Sequence, residues 1–478
     1  MKNRSHSVVV LSLVLLAGTL RVAAQEDLRK EYEQFRQQQT VEFNDYVSRR
    51  NREYADFLKQ EWKLFQSMQA AERPAEPKPD RAPFVPDRDI PRVPGPVVKP
   101  LPVVPIAPPS VPEKRPVTPQ QLPQTLEVLF YDNPVSVDFS NKLKVTLGGV
   151  SEKNVAAYWE KMSRSPYEDF IHSLQSSAEG LGVNDWGYLR LVEAVAKEVF
   201  TDSNDRAAFV FYILKQSGYD VRLGRGGEQL YVLMTFTTQI YGLPYFVLDG
   251  KKYYRMEGNG SLYTFGESDV MGESKAVDLH QQRPLAIGEE EKVRELKLAK
   301  FPELKIAVPY SPAHVAYYND IPQTDLPVYF SYPLPENTWK ALYAAFSPLA
   351  AKHSLPEFVG ILLNFVQTSF EYKTDDGQFG REKYFYPEEV IAYPFCDCED
   401  RSVFFACLVR NLTGAEVVGL DYPGHIATAV CFGDAEVAGD AFTYKGKKYV
   451  ICDPTYINAS IGMTMPQLRS VKPDLISF

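Results

Sequence analysis

Polar and apolar positions divide the chain into regimes with different periods. Residues 25–72 contain no proline or glycine, and short aromatic clusters recur in them: YEQF at Tyr32, FNDY at Phe43, YADF at Tyr54 and FQSM at Phe65. The step from each start to the next is the same (43 − 32, 54 − 43, 65 − 54), with Glu, Gln, Arg, Lys and Asn filling the intervals. Eleven positions over three turns is about 3.67 per turn, so the spacing predicts one long helix over 25–72 with its aromatic stripe on one face. Such a stripe either packs on the domain that follows or self-associates or binds a partner, and the period does not choose. From 73 to 124 about every third residue is proline, which excludes helix and central strand. A stiff polyproline-like spacer is expected there, holding the helix away from the rest. Beyond it, helical spacing returns at 182–200 and 354–372, and helix-then-strand patterns follow at 203–224 and 398–420.

The last two regimes repeat one another. DRSVFF at Asp400 matches DRAAFV at Asp205, an offset of 195 (400 − 205), and GKKYVICDP at Gly446 matches GKKYYRMEG at Gly250, an offset of 196 (446 − 250). A near-constant offset predicts two copies of one unit, over 125–295 and 296–478. Two copies are too few for a solenoid.

Composition narrows the setting. The 478 residues are 45% hydrophobic and 24% charged, enough apolar material for more than one core. The net charge of −9, with no basic block interleaved with aromatics, argues against a nucleic-acid partner. Residues 1–24 combine Lys2 and Arg4, an apolar run from Val8 to Ala17, and Val22-Ala23-Ala24 before Gln25. That is the pattern of a cleaved secretory signal peptide, too short and too interrupted by Arg21 to span a bilayer. An exported chain is expected, in the periplasm, the cell envelope or the medium, without a transmembrane anchor.

All five cysteines fall in the last fifth of the chain, and their number is odd, so at least one thiol is free. Acidic residues crowd the start of the helix at 397–411, and Gly414 ends it. Cys398 then lies in the first turn, where a thiolate is stabilised and nucleophilic, while Cys407 lies on the core face. His425 opens an alternating strand, GHIATAVCF, whose residues 425, 427, 429 and 431 share a side. A second strand, KYVICDPTY, would run antiparallel beside it and bring Asp453 to His425, fixing the imidazole tautomer. The order Cys398, His425, Asp453 has spacings of 27 (425 − 398) and 28 (453 − 425). Cys396 and Cys398 form no zinc-type spacing, and no metal or cofactor is expected. A strained Cys396–Cys398 disulfide acting as a redox brake is an alternative reading. Cys431 and Cys452 read as core thiols or a cross-strand pair.

DCEDRS (397–402), YPGHIATAV (422–430) and YVICDPTY (449–456) resemble the three motifs of the transglutaminase-like cysteine superfamily, over the final quarter or so of the chain. The resemblance implies an α+β fold of papain-like type, here two tandem transglutaminase-like domains. It also implies Cys398 as nucleophile, His425 as base and Asp453 as orienting acid. Cys396 departs from the pattern, standing where the family has glycine. The Cys398 N–H is one oxyanion donor, and a side chain near Tyr386 or Tyr393 is a second candidate. At the repeat offset the first copy carries Ser203, then Gln229 or its neighbour Glu228, then Glu257, a set without a general base. That copy is expected to be catalytically dead, shaping a groove, docking a partner or serving as scaffold. The expected activity is thiol-dependent hydrolysis of a peptide or envelope polypeptide, by a cysteine peptidase or amidase, with protein-glutamine acyl transfer as the neighbouring chemistry. The alternative is a non-catalytic envelope binding or assembly protein built on the same fold.

Overall fold

The computed structural model describes residues 4–73, 78–85 and 124–478, with side chains from Arg29 onward except those of Glu31 and Asp269. The side chains of the signal segment, and the spacer residues 74–77 and 86–123, lie outside the described residues. Among the described residues no helix is long and apolar enough to cross a membrane.

The first helix runs Arg4–Leu58 and so stops well short of position 72, the limit the aromatic period suggested. Its last turns bury Tyr54, Ala55 and Leu58, and Trp62 folds back so that its indole N–H donates to the Leu58 carbonyl. The chain then becomes a short strand, Lys63–Phe65, paired antiparallel with Leu262–Thr264. Packing has overridden helical propensity here. The stripe is therefore split: Tyr54 is 1% exposed, but Tyr32 is 61% and Phe43 50% exposed. The end of the helix is not held away from the globular part but sits in the first half's core.

The protein is a mixed helix-and-sheet structure, and each of the next two regions opens on a two-stranded hairpin, Gln124–Phe130 with Asn133–Phe139 and Lys292–Leu298 with Phe301–Tyr310. Each then lays helices against an antiparallel sheet. In the first sheet the core strands are ordered Val221–Gly226, Gln229–Met234, Lys251–Arg255, Tyr245–Leu248. In the second they are ordered Val417–Tyr422, His425–Cys431, Lys447–Cys452, Ala441–Tyr444. The registers agree as well. Val221 faces Met234 as Val417 faces Val430, Leu233 faces Arg255 as Ala429 faces Ile451, and Tyr245 faces Tyr254 as Ala441 faces Val450. Every pair moves by one and the same offset (417 − 221, 429 − 233, 441 − 245), the one that separates the two GKKY motifs.

A side-chain trio moves with the strands. Asp220 accepts from Lys251 at 3.0 Å and from the Tyr253 hydroxyl at 2.8 Å. Glu416 accepts from Lys447 and from the Tyr449 hydroxyl, the latter at 2.9 Å. One helix packs on each sheet, Ser203–Gln216 and Cys398–Thr413, with Phe209 and Phe404 fully buried at matching positions.

Candidate active site

The Cys398 helix is anchored at both ends. The Asp397 N–H donates to Asp400 Oδ2 at 3.2 Å, and Asp400 Oδ1 accepts the Phe385 N–H at 2.8 Å. Arg401, buried, donates to the Phe370 carbonyl at 2.8 Å. Gly414 takes the left-handed conformation (φ 70°) that the helix C-terminus needs and returns its N–H to the Arg410 carbonyl. One turn past Cys398, the Ser402 hydroxyl donates at 3.0 Å to the carbonyl of Ile426, next to His425. The helix start and the strand start are thereby tied together.

His425 heads its strand after the turn Tyr422-Pro423-Gly424, in which Gly424 has φ 70°. Its Nε2 lies 2.8 Å from Asp453 Oδ2, both side chains being nearly buried. Asp453 Oδ1 accepts the N–H groups of Thr455 and Tyr456 at 2.9 and 3.1 Å, which fixes the carboxylate's orientation. The loop itself is clamped from another helix, Leu355–Ser369: the buried Gln367 amide nitrogen lies 2.9–3.0 Å from the carbonyl oxygens of Asp453, Tyr456 and Ala459.

The structure thus joins two of the three predicted residues. The third is bonded elsewhere: the Cys398 thiol donates to Glu399 Oε2 at 2.9 Å, and among the described residues no hydrogen bond links it to His425. Cys398 is 1% exposed. Burial pushes its pKa well above the ordinary thiol value, and the charges of Glu399 and Asp397 push it further. In this arrangement the shift runs opposite to that of a helix-stabilised thiolate. A helix N-terminus offers about half a positive charge, and burial together with the adjacent carboxylates outweighs both it and the Lys78 ammonium.

Those carboxylates form a cluster of the buried Asp375, Asp397, Glu399 and Asp400, with the half-buried Glu382 at its edge. Glu399 is held at about 2: burial opposes its charge, but the Lys78 ammonium and the hydrogen bond from Cys398 prevail. Asp397 and Asp400 are pushed well above the usual carboxylate range by burial and by their neighbours' charge. Ligand atoms of Asp397, Cys398 and Glu399 lie within 4.8 Å of one another, as do those of Asp375, Glu382 and Glu399. An ammonium already sits on Glu382, Asp397 and Glu399, so a metal cation would have to displace it.

That ammonium belongs to Lys78, from the segment read as bare spacer, and no local signal in the sequence marks it. Tyr372 carries no such signal either. Its hydroxyl is buried without a hydrogen-bond partner, and burial, then the charges of Cys398, Asp397 and Glu399, raise its pKa. The two tyrosines that marked the neighbourhood of the second oxyanion candidate are themselves engaged elsewhere. Tyr386 is stacked among Tyr318, Tyr329 and Tyr332, and the Tyr393 hydroxyl accepts from Asn319.

All five cysteines are free thiols, so the Cys396–Cys398 disulfide is absent. Cys407 is buried core, as expected, and burial raises its thiol to about 12. Cys452 enters the main core and Cys431 packs on the sheet's opposite side, which rules out a cross-strand pair. In the first half the Ser203 hydroxyl donates to Gln229 Oε1 at 3.0 Å, which makes Gln229 rather than Glu228 the counterpart of His425. Among the described residues Glu257 has no hydrogen bond to Gln229; its carbonyl accepts from Arg255. No family model matches this chain, and no curated protein or solved structure matches it.

Proposed function

We propose that this is an exported, transglutaminase-like thiol hydrolase acting on peptide or envelope polypeptide amide bonds, with a second, inactive copy of the same domain ahead of it. The observation that carries the reading is the buried His425–Asp453 pair, oriented by two backbone N–H groups and tied through Ser402 to the helix that begins at Cys398. The shared strand order and register of the two sheets support the duplication. In the reaction, the thiol turns from Glu399 to His425, which takes its proton. The sulfur attacks the amide carbonyl, and the amine leaves with the proton from the imidazolium. His425 then activates water, which opens the thioester and regenerates the thiol. Asp453 holds the imidazole and balances its charge. The Cys398 N–H, and the Tyr372 hydroxyl, are the donors assigned to the oxyanion.

The second reading is a non-catalytic binding or assembly protein, favoured by the thiol's hydrogen bond to Glu399 and its raised pKa. A peptide-library cleavage screen of the wild type against Cys398→Ala separates them. Cleavage that disappears in Cys398→Ala supports the hydrolase. An empty screen, or products that persist in the variant, ends it.

A further inference from the structure

Residues 78–85 form a strap that touches the second half at two places. At one end the Lys78 ammonium lies 2.7 Å from Glu382 and 2.9 Å from Asp397, and also bonds Glu399, the residue that accepts the Cys398 thiol. At the other end the Pro83 carbonyl accepts the Ile457 N–H at 2.8 Å, and the Val85 N–H donates to the Ile457 carbonyl at 2.9 Å. Phe84 pairs in parallel with Ile457, and Asn458 donates to the Val85 carbonyl at 3.4 Å. Ile457 follows shortly after Asp453, in the loop that Gln367 clamps. The strap therefore bridges the element that supplies the thiol and the loop that supplies the acid.

Its exposure is that of a bound extended segment, not of a core element. Pro79, Asp80, Arg81 and Phe84 face outward, whereas Lys78, Ala82, Pro83 and Val85 turn toward the protein. Val85 packs on the sheet face that carries Leu420 and Tyr456. Backbone pairing with alternate side chains turned inward is how folded domains take up extended peptides. The lysine end is a built site of its own. Asp397 and Glu399 are fully buried, and Asp397 keeps one oxygen without a partner. Without the ammonium Glu399 would be an uncompensated buried charge.

We propose that residues 78–85 occupy the substrate groove of the Cys398 site in cis, and that the opened groove takes an extended polypeptide presenting a lysine ammonium to Glu382, Asp397 and Glu399. The proposal rests on the reading of Cys398 as the nucleophile. As a tethered ligand the strap acts at an effective concentration on the order of millimolar, so the resting chain is closed to weaker competitors.

The test uses the full chain with residues 78–85 replaced by Gly and Ser at equal length, and separately Val85→Pro. The latter removes the N–H that the Ile457 carbonyl accepts, at a half-exposed position. Alkylation of Cys398 by iodoacetamide, located by mass spectrometry, should rise about tenfold or more over the wild type in both. A labelled KPDRAPFV peptide should bind the strap-replaced chain, measured by anisotropy in a Cys398→Ser background. Replacing its lysine by norleucine should weaken binding about tenfold or more. Equal alkylation in wild type and Val85→Pro, or equal binding of the two peptides, overturns the proposal. Neither readout needs turnover. A chain that labels and binds as expected but cleaves nothing loses the hydrolase reading alone. A chain that cleaves but labels equally with and without the strap's anchor loses the strap alone.

Discussion

Ser203 and Gln229 in the first half stand where Cys398 and His425 stand in the second, and the two pairs differ in contact and in cover. The first pair is hydrogen-bonded at 3.0 Å and Ser203 is exposed. In the second, Cys398 is buried and bonded to Glu399, while His425 is bonded to Asp453. Identical strand order and register place both pairs, so the sheet alone does not make a site. What separates the halves is what surrounds the first turn of the helix. In the second half that is an acid cluster, the Lys78 strap and a clamped acid loop; in the first, Ser203 is exposed and the turn is held by Leu147 and the loop at 228–230.

The comparison is most sharply broken by activity. His425→Ala should lower peptide cleavage by about a thousandfold or more, while Gln229→Ala should leave it unchanged. Comparable losses in both variants, in the same cleavage assay, would make the first half part of the catalytic machinery. Next come the matched cores. Phe209→Ala and Phe404→Ala should each cost about 3–5 kcal/mol. Because both side chains lie in one continuous core, each should shift a single urea transition. Two transitions, each responding to only one substitution, would mean the halves unfold separately.

The acid cluster predicts a pH effect that arises in the second half. Burial, then the charge of Glu399, pushes Asp375 up to about 7. A carboxyl with a higher pKa in the folded than in the unfolded state adds stability that is fullest below its unfolded value of about 4. That contribution is lost as pH rises through 7. Asp375→Asn should therefore flatten the decline in urea-measured stability between pH 4 and 7.5; an unchanged slope would assign the decline to other groups. The smallest effect tests the matched trio. Tyr253→Phe removes a donor from the nearly buried Asp220 and should cost about 1–2 kcal/mol. Tyr449→Phe, whose acceptor Glu416 is exposed, should shift the melting temperature less.

Local chemistry is legible in the sequence. The helix start before Cys398, the strand headed by His425 and the following strand that delivers Asp453 all rest on patterns within a few dozen positions. The matching registers are legible because GKKY and DR stand in both halves. The rest depends on partners far apart in the chain. Gln367 reaches its carbonyls across 86 to 92 residues, and Lys78 reaches Glu399 across 321. The helix limit is hidden for the same reason. The aromatic period continues through Phe65, while Trp62 and the pairing of Lys63–Phe65 with a distant strand end the helix earlier.

The strap also has a place in the order of synthesis. Its Val85 meets Asn458, 373 residues later in the chain. At about 5–20 residues per second, a ribosome needs roughly 20 to 75 s to make that interval. Lys78 and Val85 thus emerge long before the carboxylates and the loop that receive them. The contacts of Lys78 with the acid cluster and of Val85 with Ile457 therefore form late in folding, and need no encounter with a second molecule.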